Sequence, residues 1–224
     1  MNKVKVLFSG ITGRTGKELL NLVKTQDKVE IVAGVCRNDI RYYNYNELDK
    51  ITEDFDIIVD FSHKDSFDKI LLFALENNKP LIIGTSKLSE EQIKNIQEAS
   101  KIIPIFNGGN FRFEVQEFIE NVLEYAKNTN DKLVLIETHY KTKKIPSETA
   151  KGLAKRIYKE TGKELEIKSF LEYDELINDY KIGNLHCRSI GFKPLAEGIL
   201  KIAAMIKEKD NGIYTFEKLL KEEK

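Results

Sequence analysis

Cysteine, excess charge and long apolar runs are all scarce in this sequence, and each shortage excludes a class of protein. Cys36 and Cys187 are the only cysteines among 224 residues, too few for a disulfide framework, and no C-x-x-C or paired-histidine spacing indicates a metal site. Lysine plus arginine equals aspartate plus glutamate at 36 each, so net charge indicates no nucleic-acid partner. No apolar run reaches the roughly 18 residues of a membrane span or resembles a signal peptide. We therefore predict a cytoplasmic protein that binds neither nucleic acid nor membrane nor a metal.

Short apolar runs alternate with amphipathic segments in the first half of the chain. We predict strands at 3–9, 29–36, 56–62, 80–86 and 101–107, and helices at 14–25, 66–78 and 89–100. The strands are rich in valine and isoleucine and are apolar on both faces, as in parallel sheets covered by helices. The pattern predicts an α/β fold with a Rossmann-type, doubly wound parallel sheet.

The pattern changes after a long amphipathic helix at 111–129. Strands are predicted at 132–140 and 164–173, and helices at 147–162 and 193–208. We place a domain boundary near residue 109, so that 1–109 form the first domain and 110–192 a smaller α+β domain. The segment 193–224 is expected to return to the first domain, with its charged part, 206–224, as a solvated helix end.

A glycine-rich turn, SGITGRTG, joins the first predicted strand to the first helix. Gly10 permits a tight turn, Gly13 allows the backbone to approach a pyrophosphate, and Gly16 packs the helix against its strand. Thr12 replaces the usual middle glycine, so the spacing is GxxGxxG rather than GxGxxG. The helix N-terminus presents free N–H groups to phosphates. The alternative is a glycine-rich turn without a ligand.

The end of the second predicted strand bears on the choice of cofactor. An NAD-selective site usually has an acid there to accept from the ribose 2′-OH, but this chain has Cys36 and Arg37. Arg37 can pair with a 2′-phosphate, which favours NADPH over NADH. Two alternatives stay open, because Arg37 can equally be an exposed loop residue and Asp39 can still reach the ribose.

The stretch ETHYKTKKIPSETA, residues 137–150, gathers charge and a helix start in a short segment. Ser147 follows Pro146 and is a good N-cap residue. The N–H groups of Glu148, Thr149 and Ala150 then lack intrahelical partners, and the Thr149 hydroxyl adds a donor. This pattern predicts a site for a small anion, with a solvated lysine-rich loop as the alternative.

The same stretch resembles the E-x-HHxxKxDAPSGTA motif of the 4-hydroxy-tetrahydrodipicolinate reductase (dihydrodipicolinate reductase) family. Other family motifs appear in order along nearly the whole chain. GITGRTG resembles GxxGRMG, DFS (60–62) resembles DFT, PLIIGTS (80–86) resembles the VIGTTG run, GGNF (108–111) resembles APNFS, and LAEGILKIAAM (195–205) resembles the FAxGAxxAAxW helix. The resemblance implies a tetrameric reductase that transfers hydride from NAD(P)H to a cyclic, imine-type dicarboxylate in lysine and diaminopimelate synthesis.

The resemblance also implies roles for individual residues. Lys143 is expected to donate the proton, with a pKa lowered by neighbouring cations, and His139 to bind a carboxylate or assist the proton transfer. The second domain is expected to bind substrate and to form the oligomer. The expected substrate contacts are Ser86, Tyr140, Ser147, Glu148 and Thr149. The expected cofactor contacts are Gly10, Thr12, Gly13, Arg14, Thr15, Gly16, Arg37, Phe61, Gly84, Thr85, Asn110 and Phe111.

The chain departs from the family motifs at several positions. Tyr140 stands in place of the second histidine, Glu148 in place of a glycine, and one residue is missing before Pro146. The Glu148 carboxylate is expected to face solvent. Arg112 and Glu114 replace the usual serine and glycine after GGNF. These changes leave open a reductase or amino-acid dehydrogenase for another anionic imine, or a non-catalytic NADPH-binding homologue. His63 and His186 are predicted to be a loop residue and a structural residue.

Overall fold

The computed structural model describes residues 3–222 and contains two compact units. The first unit comprises the residues up to Gly109 together with those from Ala196 onward, and the second comprises Asn110–Leu195. Residues 1, 2, 223 and 224 of the predicted domain ranges lie outside the described residues. Within residues 3–222, every helix is too short or too polar to cross a bilayer.

The first unit is built on a seven-stranded parallel sheet, in the order β3–β2–β1–β4–β5–β6–β11. Its central strands are buried on both faces because helices cover both. The strands are β1 (Val4–Ser9), β2 (Val29–Cys36), β3 (Tyr43–Asn44), β4 (Ile57–Asp60), β5 (Leu81–Ile83), β6 (Pro104–Asn107) and β11 (Gly212–Tyr214). The predicted α/β, doubly wound sheet is confirmed.

The helices of the first unit begin where the sequence supplies caps. Ser89 and Gln92 form a reciprocal capping box, with Ser89 Oγ accepting from Gln92 N at 3.1 Å and Gln92 Oε1 from Ser89 N at 3.0 Å. The helices are α1 (Arg14–Leu22), α2 (Lys64–Glu76), α3 (Glu90–Ala99), α6 (Lys193–Ile206, which begins in the second unit) and α7 (Phe216–Glu222). Short 3₁₀ turns follow α1 at Val23–Thr25 and precede β4 at Leu48–Lys50.

The second unit has a mixed four-stranded sheet in the order β10–β9–β7–β8. Strands β7 and β8 are parallel, and the remaining pairs are antiparallel. The elements are α4 (Phe113–Asn128), β7 (Leu133–Tyr140), α5 (Glu148–Thr161), β8 (Leu165–Tyr173), β9 (Ile177–Ile182) and β10 (Leu185–Ile190). In β7 the odd-numbered residues are buried and the even-numbered residues are not, so one sheet face packs on helices and the other is open.

The end of the chain differs from the prediction. The expectation of a solvated helix end at 206–224 is wrong for the described part, because Gly212–Tyr214 add a strand to the sheet edge beside β6. Tyr214, Phe216 and Leu219 are buried. Lysines and glutamates surround these three residues in the sequence, and this charge pattern predicts that the whole segment is exposed. In a short helix, however, charged residues mark only the outer face.

Candidate active site

The glycine-rich turn after β1 has the close approaches that only glycine permits. Gly10 has φ of 87°, and a Cβ there would lie 2.3 Å from the Phe61 carbonyl oxygen. A Cβ on Gly16 would lie 2.2 Å from the carbonyl oxygen of Ile11, in the same turn. Gly13 donates to the Gly10 carbonyl at 2.9 Å and is the N-cap of α1. The turn therefore brings the backbone and a helix N-terminus to the carboxyl end of β1.

A cleft of about 420 Å³ opens beside this turn. It brings together five of the predicted cofactor contacts, and it adds residues that sequence reasoning did not assign. The predicted residues are Gly10, Thr12, Gly13, Arg37 and Phe61, and the additional residues include Tyr45 and Ser62. Arg14, Thr15 and Gly16 form the first turn of α1, where N–H groups have no intrahelical acceptor. The glycine cradle and the helix N-terminus suit the pyrophosphate of a dinucleotide.

Arg37 and Asp39 both line this cleft. Asp39 is held by Arg41, whose Nε and Nη2 donate to its two carboxylate oxygens at 3.0 and 2.6 Å. These hydrogen bonds lower the pKa of Asp39 to about 2. The Arg37 side chain is half exposed, and its polar contacts within residues 3–222 are long, at 3.5 Å to Ser66 Oγ and 3.8 Å to Asp65. Of the two candidate contacts to the ribose, Asp39 is therefore held by Arg41, and Arg37 is more available to bind a 2′-phosphate.

Gly84 and Thr85 follow β5 and contact the end of β4. The N–H groups of Gly84 and Thr85 both donate to the Asp60 carbonyl, at 2.8 and 3.1 Å. Gly84 leaves room for the Phe61 ring, since a Cβ there would lie 2.3 Å from it. The Thr85 hydroxyl donates to Asp60 Oδ2 at 2.6 Å. Ser86 is exposed on the following loop, and its substrate contact stays a prediction.

Asp60 is an organising residue that sequence reasoning missed. Its side chain is fully buried, and burial raises the pKa of the carboxyl although the nearby polar groups of Ser9, Thr85 and Ser62 oppose the shift. The Asp60 carboxyl holds Thr85, whose oxygen in turn accepts from the Ser62 N–H at 2.9 Å. The last position of β4, at the start of the DFS motif, is the sequence feature that identifies it.

Glu137 is the centre of the second unit's polar cluster, and it too was missed. Its side chain is fully buried on the helix-covered face of β7, where its carboxylate accepts four hydrogen bonds. The donors are Ser147 N (2.9 Å), Ser147 Oγ (2.5 Å), Ser169 Oγ (2.6 Å) and His139 Nε2 (3.0 Å). Burial opposes ionisation, but the hydrogen bonds from His139, Ser147 and Ser169 outweigh it and lower the pKa of Glu137 to about 2.

His139 is oriented by this carboxylate. Because an ionised carboxylate only accepts, the Nε2–H of His139 is the donor to Glu137. The ring is fully buried and stands edge-on to Tyr180 of β9, with the centroids 5.3 Å apart. Within the described residues its Nδ1 has no hydrogen-bond partner. Nδ1 is thus the nitrogen left for a substrate or a proton.

The N-terminus of α5 is fixed to the same carboxylate. Ser147 is the N-cap, as predicted, and its hydroxyl accepts from Ala150 N at 3.1 Å while donating to Glu137. The Ala150 N–H is therefore not available to an anion, contrary to the prediction, which leaves the N–H groups of Glu148 and Thr149. Thr149 Oγ1 also accepts from Asn110 Nδ2 at 3.2 Å.

Lys143 lies just beyond β7, and its backbone N–H donates to the Tyr140 carbonyl at 2.9 Å. Its ammonium stands 5.9 Å from the centroid of the Tyr140 ring, a cation–π distance. Burial lowers the pKa of Lys143, and the charge of Arg112 lowers it further, against the opposing charges of Glu137 and Glu148. The direction of the shift agrees with the prediction, and Arg112 is the neighbouring cation, although burial is the larger cause.

The remaining predicted residues are placed as follows. The Glu148 side chain is 87% exposed and pairs with Lys151, so the expected outward orientation is confirmed. His63 caps α2 and pairs with Asp65, and His186 pairs with Asp179 on the open sheet face. Asn110 and Phe111 lie in the second unit, Phe111 buried, and their contact with cofactor stays a prediction.

Comparisons with known proteins agree with this geometry. The family model described as "Dihydrodipicolinate reductase, N-terminus" matches residues 4–111. The 4-hydroxy-tetrahydrodipicolinate reductase of Clostridium perfringens (strain SM101) is 31% identical, over 73% of this chain and 67% of that protein. The enzyme of the same name from Buchnera aphidicola is 28% identical over 98% of both chains. A dipicolinate-bound dihydrodipicolinate reductase from Paenisporosarcina sp. TG-14 has a similar fold, with a TM-score of 0.76 at 17% identity, covering 95% of this chain and 97% of its own.

Proposed function

Since the chain belongs to the dihydrodipicolinate reductase family, we propose that it reduces 4-hydroxy-tetrahydrodipicolinate to tetrahydrodipicolinate with NAD(P)H, in lysine and diaminopimelate synthesis. One observation in the structure supports this most directly. The Glu137 carboxylate joins an oriented histidine to a helix N-terminus, and a lysine of lowered pKa follows the same strand. A site of this composition can bind a carboxylate and deliver a proton, which the reduction of an imine-type substrate requires.

The first unit would hold the cofactor, and the second unit the substrate. The Gly10–Gly16 turn and the N-terminus of α1 would hold the pyrophosphate, and the Gly84–Thr85 segment the nicotinamide. Bound NAD(P)H supplies the hydride. Lys143 would give the proton, because its lowered pKa makes its ammonium a better acid than an exposed lysine. The N–H groups of Glu148 and Thr149 would bind one substrate carboxylate. Since His139 donates its Nε2–H to Glu137, its Nδ1 carries a lone pair and would assist the proton transfer as an acceptor.

The function is tested by turnover. The purified protein is mixed with NADPH and the freshly generated product of dihydrodipicolinate synthase, and loss of reduced nicotinamide absorbance is followed. We expect steady oxidation that depends on both enzymes. Binding of NADPH without oxidation would instead support the non-catalytic alternative, and oxidation only with other anionic imines would support a different substrate.

We further propose that NADPH is preferred to NADH. Asp39 is neutralised by Arg41, while Arg37 is half exposed at the same cleft. Arg37→Ala should raise KM for NADPH about 10- to 100-fold, the value of a charge-assisted contact, and leave KM for NADH nearly unchanged. Arg41→Ala is the matched control, because it removes the same charge but frees Asp39 and should improve the use of NADH. Equal effects of Arg37→Ala on both cofactors would contradict the preference.

We also propose that the open face of the four-stranded sheet joins subunits into a homo-oligomer, a tetramer by the family resemblance. Ile136, Phe170 and Ile190 are 40%, 44% and 53% exposed on that face. Sedimentation should give about four times 25.8 kDa. Phe170→Glu should shift the mass downward, whereas Ile40→Glu, at a fully exposed apolar position in the first unit, should not. A monomeric wild type would refute the proposal.

The proposed location is the cytoplasm, where fractionation should find the protein. Both cysteines are free and buried, and burial raises the pKa of the Cys187 thiol to about 11. Thiols of this kind need no oxidising compartment.

A further inference from the structure

Arg112 is a buried cation with too few partners. The residue is 7% exposed, although a guanidinium carries five N–H donors and keeps its charge. Its Nη2 donates to the Gly191 carbonyl at 2.9 Å, and its Nε is buried without a hydrogen-bond partner. Arg112 forms no ion pair within the described residues. Such burial costs free energy unless a charged acceptor compensates for it.

Glu114 is the acid whose charge most favours the charged form of Arg112, but its carboxylate is hydrogen-bonded to another residue. Burial lowers the pKa of Arg112, and the charge of Glu114 opposes that shift. The Glu114 carboxylate, however, accepts from the Ser189 hydroxyl at 2.7 Å rather than from the guanidinium. The guanidinium of Arg112 is thus largely removed from solvent, and its Nε–H has no acceptor within the described residues.

The position of Arg112 connects it to the rest of the second unit's polar cluster. It is the N-cap of α4, two residues after Asn110, which bonds Thr149 at the start of α5. Its charge helps burial to lower the pKa of Lys143. It also opposes the burial that raises the pKa of the Tyr180 phenol, so it acts on the same region from another element. Arg112 thus contributes positive charge to the region that Lys143 and the start of α5 share.

We propose that Arg112 binds one carboxylate of the substrate and thereby selects dicarboxylates over monocarboxylates. This inference rests on the proposed function, in which the substrate carries two carboxylates. The start of α5 takes one of them, and the planar guanidinium offers paired donors that match the other. Since the family resemblance predicts a serine at this position, the arginine is a feature of this chain.

Two planar probes test the assignment by calorimetry: pyridine-2,6-dicarboxylate and pyridine-2-carboxylate. The wild type should bind the dicarboxylate far more tightly, and Arg112→Gln should weaken that binding on the order of 100-fold. With one carboxylate site left, the variant should bind both probes with similar affinity. Arg112→Lys keeps the charge without the paired geometry and should lie between. Arg188→Gln, an exposed arginine on the open face, is the matched control.

Thermal unfolding separates a binding role from a structural one. Without ligand, Arg112→Gln should have an unchanged or raised Tm, because an uncompensated buried charge has been removed. The rise in Tm that pyridine-2,6-dicarboxylate gives the wild type should be largely lost. A lowered Tm in both Arg112→Gln and Arg112→Lys, or wild-type selectivity in Arg112→Gln, would overturn the proposal.

The two proposals fail in different ways. If the wild type does not oxidise NADPH with the synthase product but still selects the dicarboxylate through Arg112, the reductase function fails and the anion site stands. If turnover is observed and Arg112→Gln keeps its selectivity, the reductase function stands and the role of Arg112 is refuted.

Discussion

Lys143→Met should lower kcat on the order of 1000-fold and leave the affinity for NADPH unchanged. The change keeps the apolar stem but removes the proton that completes reduction, and general acids contribute factors of roughly 100 to 10,000. Lys143 belongs to the second unit, whereas the glycine turn and its cleft belong to the first. Steady-state kinetics and fluorescence titration with NADPH measure the two quantities separately. An unchanged kcat would remove Lys143 from the mechanism.

The pH dependence gives the same hypothesis a second test. A proton donor acts in its protonated form, so kcat should fall as the pH rises through the pKa of Lys143. Because burial and the charge of Arg112 lower that pKa, the fall should begin at a lower pH than for an exposed lysine. Lys141→Met is the matched control, since Lys141 is exposed and pairs with Asp174, and it should retain the wild-type rate and profile. Lys143→Arg keeps a charge that does not dissociate and should be nearly as slow as Lys143→Met.

The first unit was largely predictable because its fold follows from local patterns. The strand predicted at 29–36 is Val29–Cys36, and the helix predicted at 89–100 is Glu90–Ala99 between its caps. Continuous valine and isoleucine runs can be buried on both faces only in a covered parallel sheet. The two-residue strand β3 and the edge strand β11 lack such runs, and they form only because a neighbouring strand offers free backbone groups.

The second unit was less predictable because its strands are half-exposed. The hairpin of β9 and β10 turns at Gly183, which has φ of 55°, in a segment where apolar and polar residues alternate. The motif singled out His139, Lys143 and Ser147, but the burial of Glu137 depends on Ser169 and Tyr180 from other strands. Arg112 lies at the start of α4, far from Lys143 in the sequence, so no local pattern showed that its charge acts on Lys143.

Glu137→Ala should lower the free energy of unfolding by about 3 to 5 kcal/mol, the usual cost of removing one partner of a buried charged network. The change leaves His139 Nε2, the two Ser147 donors and Ser169 Oγ without their acceptor in a buried site. Since Ser147 is also the cap of α5, the start of that helix should loosen together with the binding site. Urea unfolding followed by circular dichroism measures the change. A loss below about 1 kcal/mol would contradict the organising role of Glu137.

Because the pKa of Glu137 is lowered, the free energy of unfolding of the second unit should depend on pH between about 2 and 4.5. The folded pKa is about 2 and the ordinary value is 4.5, so the folded state favours the ionised form. The contribution is therefore fully present above about pH 4.5 and is lost as the pH falls towards 2, and the shift corresponds to about 3 kcal/mol.

Glu137→Gln should unfold at a lower urea concentration at pH 7, but it should lose less stability than the wild type between pH 4.5 and 2. Glu166→Gln, which removes a surface carboxylate paired with Lys132, should keep most of the wild-type acid dependence, because solvent screens an exposed ion pair and leaves it little effect on stability. If the Glu137→Gln variant and the wild type lose stability in parallel as the pH falls, the buried carboxylate does not titrate with unfolding, and the network does not stabilise its charge.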